Sequence, residues 1–172
     1  MSALPSRVDA ERMVAARRVF HGSLPVASMP RLAAALADDR GEVEYELQFG
    51  IDALDTPCVK MHAKAVLILQ CQRSLQTFEW PVEIEQRLGL IADECDEAGL
   101  PPGVEPLLLD DGTLDPAGAI EDELLLSLPS FPVKPGNEME ALHWERGNHA
   151  VPVENAETET HPFAILRELK QH

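Results

Sequence analysis

Aromatic residues make up only 5% of this chain, so its core must be filled by Leu, Val, Ala and Ile. Cysteine is scarce as well. Cys58, Cys71 and Cys95 are an odd number at spacings that suit no disulfide framework. With no signal-peptide pattern, they predict reduced thiols and a cytoplasmic location. Long apolar runs are missing too: the longest, residues 65–69 and 124–128, are far too short to cross a bilayer. No membrane partner is expected. The chain has 172 residues, which is enough for one domain with a proper core.

Basic residues are missing from one long stretch. Residues 1–78 carry nine bases and nine acids, whereas residues 79–124 carry fourteen acids and Arg87 as their one base. The net charge of −16 therefore sits mainly in the middle of the chain. Such a field repels nucleic acid unless positive charge gathers elsewhere on the surface. It also attracts a basic protein, and at minimum it keeps the chain soluble.

What the sequence does have is strand periodicity. Val59, Met61, Ala63, Ala65, Leu67 and Leu69 alternate with Lys60, His62 and Lys64; Phe78, Trp80, Val82 and Ile84 alternate with Glu79 and Glu83. Residues 71–74 separate the two runs, which predicts an antiparallel hairpin over about 59–84 with Arg73 at its tip. Val43, Tyr45, Leu47 and Phe49 predict a third strand with one wet face, and residues 19–26 a fourth. Asp9 is placed to cap a helix over 10–18, and Ser28 to cap another over 29–37 with Pro30 in its first turn. Asp115-Pro116 opens a helix to about 128, with Ala117, Ile120, Leu124 and Leu128 on one face. Glu121, Asp122 and Glu123 read as its solvated early turns. Residues 92–103 read as an acidic loop, and 105–109 as an edge strand. The expected fold is α+β: an antiparallel sheet built on the hairpin, a few packed helices and one domain over 1–130. An irregular acidic region over 131–172 ends in a short helix opened by Pro162, with Phe163, Leu166 and Leu169 docking back.

No catalytic constellation emerges. There is no Gly-rich phosphate loop and no Gly-x-Ser-x-Gly elbow, and the six histidines form no ligand motif. Glu121, Asp122 and Glu123 point about 100° apart around a helix, so they cannot converge on one substrate atom. No enzyme and no cofactor are expected. For nucleic acid the wider candidates are Arg12, Arg17, Arg18, Arg31, Arg40, Lys60, Lys64 and Arg73. Those singled out are Arg73, Lys64, Lys60, Arg18 and Arg31. Lys60, His62 and Lys64 share one strand face, and Arg73 either reaches RNA from the tip, caps its own turn or pairs with a carboxylate.

Several motifs in order complete the reading: Cys71-Gln72-Arg73 after a strand, Gly112-Thr113-Leu114-Asp115, Glu121-Asp122-Glu123 leading to Pro129, Pro132-Val133, and His161-Pro162-Phe163 near the end. With them the chain resembles the YceD family of large ribosomal RNA subunit accumulation proteins. The resemblance implies a non-enzymatic role in accumulating or processing large-subunit (23S) rRNA, with pre-rRNA or a pre-ribosomal particle as partner. The alternative is an acidic escort for a basic ribosomal protein or another assembly factor. Many relatives have the look of a zinc site at the tip, with Cys-x-x-Cys there and a later His and Cys. In this chain Ser74 and Lys134 stand at two of those positions and no cysteine follows Cys95. A lone Cys71 cannot hold structural zinc, so no metal is expected.

Overall fold

The computed structural model describes residues 4–52 and 54–135. The chain divides into Met1–Asn137 and Glu138–His172, and everything below belongs to the first unit. The expected helix at Pro162 and Phe163 lies outside the described residues.

The alternating segments become a five-stranded sheet in the order β2 (Val19–Pro25), β3 (Glu42–Ile51), β4 (Pro57–Gln70), β5 (Thr77–Ile91) and β6 (Glu105–Leu108). The first four strands pair antiparallel, and β5–β6 is parallel. A separate two-stranded ribbon joins β1 (Val8–Asp9) to β7 (Thr113–Leu114). The central hairpin forms as its periodicity predicts, and Leu69 lies opposite Phe78. It runs further than expected: β5 continues past Ile84 to Ile91, while Leu75 leaves the ladder with a left-handed φ of 59°. The odd-numbered residues of β3 and β4 fill the core, where Leu47, Val59, Met61, Ala63 and Leu67 are at most 1% exposed. A single-residue slip would turn this whole set outward, which is why the register is strongly specified.

Three short helices accompany this core. Asp9 caps α1 (Ala10–Ala15), its carboxylate accepting from the Arg12 N–H at 2.8 Å. The helix stops short of Arg18 because Arg17 turns left-handed at φ 47°. Asp115 caps α3 (Pro116–Leu126) at the N–H groups of Ala117 and Gly118. Residues 92–103 are not a plain loop, since Glu94–Gly99 forms 3-10 turns begun by the Asp93 side chain.

The second helix, α2 (Pro30–Ala35), corrects two expectations. Ser28 does not cap it. The Ser28 hydroxyl turns back to donate to the Pro25 carbonyl, and Met29 holds the cap position with its side chain 2% exposed in the core. The missing acceptor comes from Glu121 on α3. One carboxylate oxygen accepts from the N–H groups of Arg31 (2.7 Å) and Leu32 (3.0 Å); the other accepts from the Arg31 guanidinium at 2.9 and 3.1 Å. Glu121 is thus 5% exposed rather than solvated. Burial raises its pKa, but the Leu32 and Arg31 N–H groups and the guanidinium outweigh burial and hold it below the usual carboxylate range. Asp122 takes the other guanidinium nitrogen at 2.5 Å.

Removing Glu121 leaves two helix N–H groups without their acceptor and leaves the Arg31 guanidinium with Asp122 alone. Glu121→Ala should cost about 2–4 kcal/mol in urea unfolding, against roughly 1–2 kcal/mol for Glu121→Gln, which keeps an oxygen. Because the folded carboxyl titrates low, this contribution is present above the ordinary carboxylate pKa. It is lost as pH falls through the depressed folded value. Equal stability of parent and Glu121→Ala across pH would contradict this role.

Candidate nucleic-acid interface

Helices α1 and α3 contact β3, β4 and β5, and the even-numbered residues of β3 and β4 face the other way. The register lines that outer face up in rows across the strands. One row is Ser23, Glu44, Lys64 and Glu83; the next is His21, Glu46, His62 and Glu85; the third is Val19, Gln48, Lys60 and Arg87. Lys60, His62 and Lys64 do share a face, but it is not a basic one. Carboxylates flank Lys64 and His62 on both sides, and Glu83 reaches the His62 ring at 3.2 Å.

Only the third row is cationic. There Lys60 lies directly opposite Arg87, with Gln48 rather than an acid on its other side. Like charges across a strand pair are destabilising. Arg87 approaches Asp52 only to 3.8 Å, and the Asp52 carboxylate is already taken by the N–H groups of Leu54 and Thr56 at 2.8 and 2.9 Å. Those two amides, the Thr56 one foremost, hold the Asp52 pKa down, with Arg87 adding to them. Among the described residues neither Lys60 nor Arg17 has an ion-pair partner. Lys60, Arg87 and Arg17 line one cleft of about 730 Å³, together with the half-exposed Val19 and Ile51.

The other basic candidates lie elsewhere. Arg31 is committed to Glu121 and Asp122. Arg18 lies over the Phe20 ring at 5.7 Å and lines a neighbouring hollow with Arg12. Arg73 is in the loop at the far end of the hairpin from the cleft.

That loop is organised around Cys71, which is fully buried beside Leu69 and Phe78. Its sulfur accepts from the Ser74 hydroxyl and from the N–H groups of Lys134, Ser74 and Arg73, and these donors pull its pKa down to about 6. The Gln72 N–H donates to the Pro132 carbonyl at 3.0 Å, and the Lys134 ammonium reaches Gln76 at 3.5 Å. Residues 131–135 are therefore tied to the hairpin loop.

Two comparisons bear on what this arrangement belongs to. The family described as Large ribosomal RNA subunit accumulation protein YceD matches residues 59–170. The chain belongs to the YceD family. It is 28% identical over 169 residues to the Large ribosomal RNA subunit accumulation protein YceD of Haemophilus influenzae, covering 98% of this chain and 97% of that one. No solved structure matches.

In this YceD chain, Ser74 and Lys134, which stand at two of the three departures from the zinc-like pattern noted in the sequence, converge on Cys71. Zinc does not fit them. The donors around Cys71 all present hydrogens to the sulfur, where a cation would have to sit, and the other two side chains are a hydroxyl and an ammonium. Among the described residues no three His, Cys, Asp or Glu side chains cluster for a metal. The cleft itself was only half legible. Arg17 belongs to the wider candidate set, but Arg87 is hidden in the acidic stretch, and its one signal is being the lone base there.

Elemental analysis of purified protein should find no stoichiometric zinc, and chelator should leave its unfolding unchanged. Cys71 supplies a second test. Its folded pKa of about 6 lies below the ordinary thiol value. The thiolate's stabilisation is therefore full above about pH 9 and lost as pH falls through about 6. The stability gap between parent and Cys71→Ala should widen from about pH 5.5 to pH 8.5 in urea titrations. A gap that stays constant with pH would mean that Cys71 is protonated throughout.

Proposed function

We propose that this protein is a non-enzymatic factor, acting in the cytoplasm, that supports accumulation of large-subunit rRNA by contacting pre-ribosomal RNA directly. The process comes from the family, whose members are described by that role. The mode of contact rests on one observation: Lys60 paired against Arg87, with Arg17 beside them in a surface cleft. In a chain with 30 acids and 14 bases, a cation facing a cation costs stability that an acid at either position would recover. Local rules of this kind are broken where a ligand supplies the compensation, and a phosphate is the compensating charge here.

A second reading draws on the acidic rows next to the cleft. Glu44 and Glu83 flank Lys64, and Glu46 and Glu85 flank His62. Asp93, Glu94, Asp96 and Glu97 lie just beyond the end of β5. This surface suits a basic ribosomal protein or assembly factor.

Sedimentation of tagged protein with large-subunit precursor particles, with and without RNase, separates the two. Lys60→Gln with Arg87→Gln should reduce co-sedimentation several-fold and flatten its salt dependence. Amide replacement of Asp93, Glu94, Asp96 and Glu97 should leave both unchanged. The inverse pattern, surviving RNase, selects the escort. Parent-like behaviour of both variants rejects both readings.

A further inference from the structure

Beyond the cationic row, the outer face of the sheet has a row without large side chains: Gly50, Cys58 and Gly89 lie side by side on β3, β4 and β5. Such a row makes a depression. Its Gly89 half is filled from within the chain. A Cβ built on Gly89 would stand 2.6 Å from Leu100 and 3.0 Å from Val104, because the segment after the 3-10 turns folds over it. The Gly50 half is open, since a Cβ there would meet nothing within 4 Å. This open half forms part of the cleft that Arg17, Lys60 and Arg87 line.

The shape and charge of the cleft restrict what can enter. Its volume of about 730 Å³ falls in the range of small-ligand pockets, about 300–1,000 Å³. The next row across the face, about 7 Å away along the strands, carries Glu46 and Glu85, and Glu85 forms the edge of the cleft itself. That distance is within a Debye length of about 8 Å at physiological salt, so phosphates lying over that row are repelled. The favourable zone is thus one cationic row deep. A duplex is rigid and presents a continuous run of phosphates, so beyond that row it meets the carboxylates. A single strand can dip one phosphate in and turn away. The glycine floor and the aliphatic side chain of Val19, 48% exposed, also offer an apolar seat beside the cations. A base unstacked from its neighbours needs such a seat, and a base inside a helix cannot reach it.

We propose that the open half of this depression binds a single-stranded RNA segment, with one phosphate held among Lys60, Arg87 and Arg17 and the adjoining base seated over Gly50 against Val19. This rests on the RNA reading above and specifies the form of RNA taken.

Fluorescence anisotropy with the full chain tests it, using a labelled mixed-sequence single-stranded RNA of about a dozen nucleotides and the same strand annealed to its complement. The single strand should bind at least about tenfold more tightly than the duplex, with a shallow salt slope of about −0.7 for the one phosphate held. Gly50→Val suits an extended strand and has empty space around it, so it should keep the thermal melt of the parent. It should fill the seat and weaken single-strand binding about tenfold while changing the salt slope little. Lys60→Gln with Arg87→Gln should weaken binding and lower the slope. Equal or tighter binding of the duplex overturns the single-strand inference and leaves RNA contact standing. Parent-like binding by Gly50→Val, with its fold intact, overturns the seat. Absence of binding to either RNA overturns this proposal together with the RNA reading.

Discussion

Met29 is needed in the core, and that need shapes much of the rest of the molecule. Its side chain is 2% exposed and cannot accept a hydrogen bond, so α2 begins without a local cap. Pro30 removes one orphan donor by having no N–H. The next two donors, from Arg31 and Leu32, point to where a capping oxygen would sit, and Glu121 supplies it from about ninety residues away. The carboxylate then needs a counter-charge, which Arg31 provides from the same turn. A helix of six residues is too short to stand alone, so α2 and α3 stabilise each other as a pair. Together with α1 they cover one face of the sheet.

Covering one face leaves the other free for function. The helices meet the apolar side of β3, β4 and β5, and among the described residues no helix or strand lies over the polar side, where residues 100–104 cross Gly89. Apart from the buried Cys58, the even-numbered positions of β3 and β4 carry little packing duty, and their composition follows other demands. In two of the rows an acid lies beside Lys64 or His62, and an acid beside a base across strands is ordinary sheet stabilisation. The Lys60–Arg87 row departs from that pattern, and next to it the side chains shrink to Gly50, Cys58 and Gly89. Unfavourable charge pairing and missing side-chain volume at neighbouring positions both stand out against a face otherwise composed for stability.

The strands could be read because period-two alternation is local: Val43 to Phe49 and Val59 to Leu69 each declare their buried face within a few residues. The caps at Asp9 and Asp115 were legible for the same reason. What escaped was everything decided by distant partners. Ser28 before Met29-Pro30 looks like a cap, yet Glu121 on another helix takes that role, and no local pattern separates a solvated Glu121 from a buried one. The extension of β5 to Ile91 depends on β4 beginning at Pro57 and on parallel pairing with β6, and register is a property of the pair. Cys71 was read only as part of the hairpin-tip motif and as a lone thiol. Its burial comes from Pro132 and Lys134 closing over the loop. The cleft was hidden most deeply, since Arg87 gains meaning only once it lies opposite Lys60.

The acidity of the chain bears on where RNA can lie more than on whether it can bind. A field summed over −16 charges is screened beyond about 8–10 Å at working salt, so a phosphate in the cleft responds chiefly to Lys60, Arg87, Arg17 and the two or three carboxylates nearest them. Of those carboxylates, Asp52 is already engaged by two amides, and its hold on Arg87 at 3.8 Å is loose. Glu46 and Glu85 are closest to the phosphates that would follow or precede the bound one. The attraction is confined to one row and the repulsion begins at the next, so the face favours a strand that enters and leaves steeply over one that lies along it. A uniformly basic sheet would bind any RNA backbone in many registers. Under the RNA reading proposed above, an acidic sheet with one cationic row would bind more weakly and confine the strand to one position.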